Sequence, residues 1–149
     1  MEIVGTIIIS GRLNDTGKIL SINTNACKIL NYDKNELMFN NINNIVPPYI
    51  SEYHDGFILN YIETSKKHIV DSIRIVFAII NTGFLIPISL LSKIIPNLDD
   101  GIRFIGLIRK LNRQDKFYRT TDETKNVPVT IMMVKEDGVI FSVNHEVID

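Results

Sequence analysis

The chain has 149 residues, a formal net charge of -1, 45% hydrophobic and 22% charged residues. That balance is too apolar for a disordered chain and suits one well-cored domain with a remainder. No basic block marks a nucleic-acid partner, and the single cysteine, Cys27, excludes an intramolecular disulfide and a thiolate metal site.

Val4 to Leu13 is predicted as a strand, "NDTGK" as a tight turn and Ile19 to Ile22 as the returning strand. Asn23 then suits the N-cap of a short helix that turns Ala26, Cys27 and Leu30 inward and stops at Asn31, a residue that tolerates the left-handed conformation. Asp33 and Glu36 have capping-box spacing. The segment "NNINNIVPP" is expected to be irregular and to deliver the chain to a helix from about Ser51 to Thr64. Helical spacing places His54 on the same apolar side as Tyr53, Phe57, Ile58 and Tyr61. An imidazole on a face that should meet a core asks for a role.

Ile75 to Ser92 contains no formal charge and nearly reaches the length of a bilayer span. The turn signal Asn81-Thr82-Gly83 at its centre, Pro87 and the many β-branched residues predict two buried strands instead, Ile73 to Ile80 and Phe84 to Ile94. Direct membrane insertion of this segment is therefore not expected. Asp99 and Asp100 read as turn residues before a last strand, Ile102 to Leu111. Strands, short helices and three antiparallel strands in that order predict an α+β domain with helices on one sheet face.

Residues 112–126 are polar and read as a linker, after which apolar strand pattern resumes at Val127. "DTGKILSIN" (Asp15 to Asn23) and "EDGVIFSVN" (Glu136 to Asn144) share Gly, Ile, Ser and Asn at the same offsets. The repeat predicts one hairpin module used twice, with residues 127–149 opening a second unit of a longer tandem protein. A lone hairpin is marginal in water, so Val129, Ile131, Met133 and Ile140 are expected to leave a bare apolar face.

The "GKILSINTNACKILNY" opening, the "NTGFLIPI" hairpin and the "RFIGLIRKL" strand together resemble a PAS domain over Ile3 to about Leu111. The resemblance implies a PAS fold: a five-stranded antiparallel sheet with short helices packed on one face, followed here by a partial second PAS hairpin. It also implies a sensory or signalling module, and hence a non-enzyme; no nucleophile–base pair, phosphate loop or metal-spaced cluster speaks otherwise. Within PAS domains, "NINNIVPPYISEYHD" and "YIETSKKHIVDSIR" resemble the haem-helix region of FixL-type oxygen sensors. On that resemblance His54 falls on the proximal ligand of haem b iron. His68 and Arg74 fall near the haem edge, Ile69 and Leu90 line the distal pocket, and Phe57, Ile58 and Tyr61 complete the cofactor side. Asn60 and Ser92 depart from it, standing where those sensors place an arginine and an isoleucine.

The alternative for His54 is a half-buried histidine in the pocket wall. For His68 and Arg74 it is a solvated surface position, and for Cys27 a small core hydrophobe rather than a photoreceptor adduct site. Three functions follow: a sensory module of a multi-PAS protein, a haem gas or redox sensor through His54, and a cofactor-free interaction domain. The partners implied are a neighbouring PAS or output domain, or a second copy in a homodimer. With no basic n-region and apolar run at the N-terminus, the expected location is cytoplasmic, in a reducing compartment.

Overall fold

Successive side chains of a strand point to opposite faces of the sheet, and one of these apolar faces must be covered. A computed structural model describes residues 3–64, 72–97, 99, 101–112, 115 and 130–144. Strands β1 (Gly5–Ser10), β2 (Ile19–Ile22), β3 (Ile73–Ile79), β4 (Leu85–Asn97) and β5 (Gly101–Lys110) form one antiparallel sheet in the order β2-β1-β5-β4-β3. Helices α1 (Thr24–Leu30), α2 (Lys34–Leu37) and α3 (Pro48–Thr64), with a 3-10 turn at Ile42–Asn44, lie between β2 and β3 in the chain.

The first helix is fixed at both ends by asparagine. Asn23 accepts from the Ala26 N–H at 2.8 Å and from the Thr6 N–H at 2.9 Å, so one carboxamide caps α1 and ties it to β1. Asn31 ends it in the left-handed conformation, with φ 57°. Ala26, Cys27 and Leu30 are buried as expected, in a cluster with Ile7, Ile19, Ile22 and Ile108. At α2 the Glu36 carboxylate accepts from the Asp33 N–H at 2.7 Å, which satisfies one otherwise unpaired donor of the helix start.

Several boundaries differ from expectation. β1 stops at Ser10 rather than Leu13 because the Ser10 hydroxyl donates to Asp15 at 2.5 Å and turns the chain, leaving Leu13 81% exposed. α3 begins at Pro48, a turn earlier than expected, since proline at the first helical position forfeits no hydrogen bond. β4 runs on to Asn97, where it still pairs with Gly101. The uncharged run is two paired strands, turned at Gly83 with φ 88°. Among the described residues, no helix is long and apolar enough to cross a membrane.

A second hairpin joins β6 (Met132–Val134) to β7 (Ile140–Val143). Its pairs Met132–Val143, Met133–Ser142 and Val134–Ile140 repeat those of the first, Ile7–Ile22, Ile8–Ser21 and Ile9–Ile19, with the bulge in the same place. Gly17 and Gly138 occupy the matching turns at φ 78° and 84°. Asn144 accepts from the Ile131 N–H at 3.1 Å as Asn23 does from Thr6. Of the expected bare face, Ile140 is 54% exposed, but Ile131 and Met133 are half-buried, and Val129 lies outside the described residues. The ring of Phe141 sits 6.4 Å from that of Tyr49 on α3. Of the expected linker, only Asn112 and Asp115 are among the described residues.

Candidate functional site

Register across the sheet decides which side chains meet the helices. Arg74 on β3 stands opposite Leu90 on β4, Leu90 opposite Ile108 on β5, and Ile108 opposite Gly5 on β1. The next row on this face brings Ile7 opposite Gly106. Facing these rows are Ile42 and Ile45 from the 3-10 turn and its end, then Ile50, His54 and Phe57 from α3. Between them lies a cavity of about 400 Å³. That is within the usual size of small-molecule sites, about 300–1,000 Å³. Its wall is hydrocarbon except for a few groups.

His54 and Arg74 are the ionisable side chains lining it. His54 Nδ1 and Arg74 Nε are both buried from solvent and have no hydrogen-bond partner among the described residues. Burial holds the His54 pKa below its ordinary 6.5; neighbouring Arg74 adds to this and Asp55 opposes it. Burial also lowers the Arg74 pKa. At neutral pH the site therefore presents a neutral imidazole beside a guanidinium. Asp55 itself accepts from the Asn43 carboxamide at 3.1 Å.

Of the residues expected at the site, His54, Phe57, Arg74 and Leu90 come together. Ile58 and Tyr61 do not line the cavity. Ile58 is the buried core residue of α3, and Tyr61 packs edge-on against Phe104 at 5.9 Å, a turn beyond the pocket. The broad apolar side assigned to α3 is also corrected: Tyr53 is 56% and Phe57 55% exposed, because only part of the stripe reaches the sheet. His68 and Ile69 lie outside the described residues, as does Asp100, while Asp99 stands in the β4–β5 turn. Among the described residues no group of three or more His, Cys, Asp or Glu could hold a metal ion. Cys27 is buried, which raises its thiol pKa and makes it a poor nucleophile. Sequence reasoning missed Ile42, Ile45 and Gly106. The 3-10 turn could have been found from its two isoleucines at i and i+3 in an asparagine-rich segment.

His54→Leu is expected to stabilise the ligand-free protein by about 1–2 kcal/mol, the cost of a buried polar group left unpaired. Because the folded pKa lies below the unfolded one, the unfolded chain binds the proton first as pH falls below 6.5. Wild-type stability should thus drop through that window and down to the lowered folded value. Urea titrations at several pH values should show this slope reduced in the leucine variant; an unchanged slope would mean that folding does not shift the His54 pKa.

No family model matches the chain. A probable serine/threonine-protein kinase of Dictyostelium discoideum is 33% identical over 78 residues, 52% of this chain. This chain spans only 5% of that kinase's length. Among solved structures, a PAS domain from Colwellia psychrerythraea superposes with a TM-score of 0.59 at 13% identity, covering 75% of this chain and 89% of its own. A PAS domain from Desulfitobacterium hafniense gives 0.56 at 19%, with coverages of 73% and 93%. The light-oxygen-voltage (LOV) protein of Rhodobacter sphaeroides gives 0.55 at 12%, with coverages of 74% and 61%. The five-stranded sheet with its helices on one face is the PAS fold.

Proposed function

We propose that residues 1–111 are a sensory module of a larger signalling protein, one that holds a small ligand beside His54 and reports it through β5. One observation carries this reading: an apolar cavity with two buried polar atoms that no described residue satisfies. Such atoms cost stability in an empty domain, and a ligand that pairs with them offsets it. The relay is supported by β5 itself. Gly106 and Ile108 form cavity wall, while Arg109, next in the strand, is bonded to Asp115 in the connector at 3.2 and 3.3 Å. Asp115 also accepts from the Asn112 N–H. A ligand that moves β5 would act on this junction, provided it binds the two arrangements unequally.

Haem b through His54 is the sharper form of the reading, and the residues fit it only in part. A neutral imidazole suits iron, and Arg74 suits one propionate. Yet Nδ1 has no acceptor among the described residues to orient it as a ligand histidine is oriented, and about 400 Å³ is small for a tetrapyrrole. A smaller ligand fits better. The second hairpin, with the register, bulge and capping asparagine of the first, supports a further PAS-like unit opening at residues 127–149. A cofactor-free interaction domain draws support from the edge strand β3, where Ile73 is 72% exposed. Its mark would be a ligand-free protein whose size grows with concentration.

The test is amide NMR of the full chain, titrated with small apolar fragments, beside an absorption spectrum after haem reconstitution. Saturable shifts at Ile7, Leu90 and Ile108 that extend to Arg109 and Asp115 are expected. A Soret band lost in His54→Ala would replace the small ligand by haem. No saturable binding of either kind would sink the sensory reading.

A further inference from the structure

The polar groups of the cavity are unbalanced in charge. The described residues that line it include one guanidinium and one imidazole, and no carboxylate. Arg74 enters this wall from an edge strand, with Leu90 opposite it and Val76 next on its face. It therefore brings a partly buried guanidinium to an apolar wall, with its Nε–H removed from water and without an acceptor among the described residues. A buried N–H left unpaired costs stability, and an anion that accepts from it offsets that cost.

His54 stands in the same wall with its Nδ1 likewise unpartnered. A neutral imidazole can carry its proton on that nitrogen and donate it. Two unpartnered donors on residues lining one cavity suit a carboxylate, whose two oxygens accept hydrogen bonds and whose charge neutralises the guanidinium. A dianion would leave one charge uncompensated, because Arg74 is the only cation among the described lining residues. The other described side chains of the wall, Ile7, Ile45, Ile50, Ile88 and Ile108 among them, are apolar and suit an alkyl or aromatic body.

We propose that the cavity binds a small monocarboxylate with an apolar body, its carboxylate held by Arg74 and His54. This rests on the sensory reading above and names the class of its ligand. The probes are octanoate and 1-octanol, which share an eight-carbon chain and differ in the charged end. Each is titrated calorimetrically into the full chain at neutral pH, with Arg74→Gln beside wild type. Circular dichroism of each protein establishes that it is folded.

Wild type should bind octanoate about tenfold or more tighter than octanol, the range of one charge-assisted pair. Arg74→Gln should erase the preference by weakening octanoate and leaving octanol unchanged. Equal binding of the two probes, or a preference that survives Arg74→Gln, overturns the carboxylate inference while the sensory reading stands. Folded wild-type protein that binds neither probe overturns this inference alone if other fragments still saturate the cavity, and both readings if none does.

Discussion

Gly5→Val is expected to destabilise the domain by about 3 kcal/mol, the upper end of the cost of overpacking a core. A Cβ at Gly5 would stand 2.6 Å from the Ala26 Cα and 2.8 Å from Ile108 Cγ1. The first of these atoms is backbone, in the helix that Asn23 ties to β1 through Thr6, so α1 cannot withdraw without losing its cap. The same sheet face carries a control on β5. A Cβ at Gly106 meets only the flexible end of Leu90 at 3.3 Å and the Ile7 carbonyl at 3.9 Å, so Gly106→Ala should be tolerated. Urea denaturation of the two variants measures the contrast. If Gly5→Val cost no more than Gly106→Ala, α1 would not be seated on β1 as closely as described.

These two glycines show where sequence reasoning stops. The order of elements was legible because local chemistry sets it: Asn23 and Asn31 bound α1, and Gly83 turns β3 into β4. The glycines that let α1 approach, or that border the cavity, carry no such mark, since their meaning depends on a partner strand. The site divides in the same way. Helical spacing put His54 and Phe57 on one side of α3 but could not say how far along the helix the cavity extends, so Ile58 and Tyr61 were expected with them although they do not line it. Arg74 and Leu90 were assigned by resemblance alone; they share the wall because the hairpin pairs them directly. The second hairpin was visible as a repeated motif, whereas its shared bulge and register became apparent only in the paired strands.

Gly106→Leu is expected to weaken ligand binding strongly while sparing the fold. Gly106 lies in the middle of β5, between Ile7 and Ser92 in register, and borders the cavity. A leucine there would push its branched end into space that a ligand must use. The new side chain is apolar, enters an apolar void and replaces a residue that weakens strands, so stability should stay within about 1 kcal/mol of wild type. Octanoate affinity should fall by about a hundredfold, which corresponds to about 2.7 kcal/mol. The pair Arg109–Asp115 lies outside the cavity and should keep its ligand-free chemical shifts in this variant, with no response when octanoate is added. That separates occupancy from integrity of the relay: a folded protein, with the junction intact, blind to the ligand. If the variant still binds octanoate as wild type does, the carboxylate sits elsewhere, and the wall built from β5 and α3 is not the site.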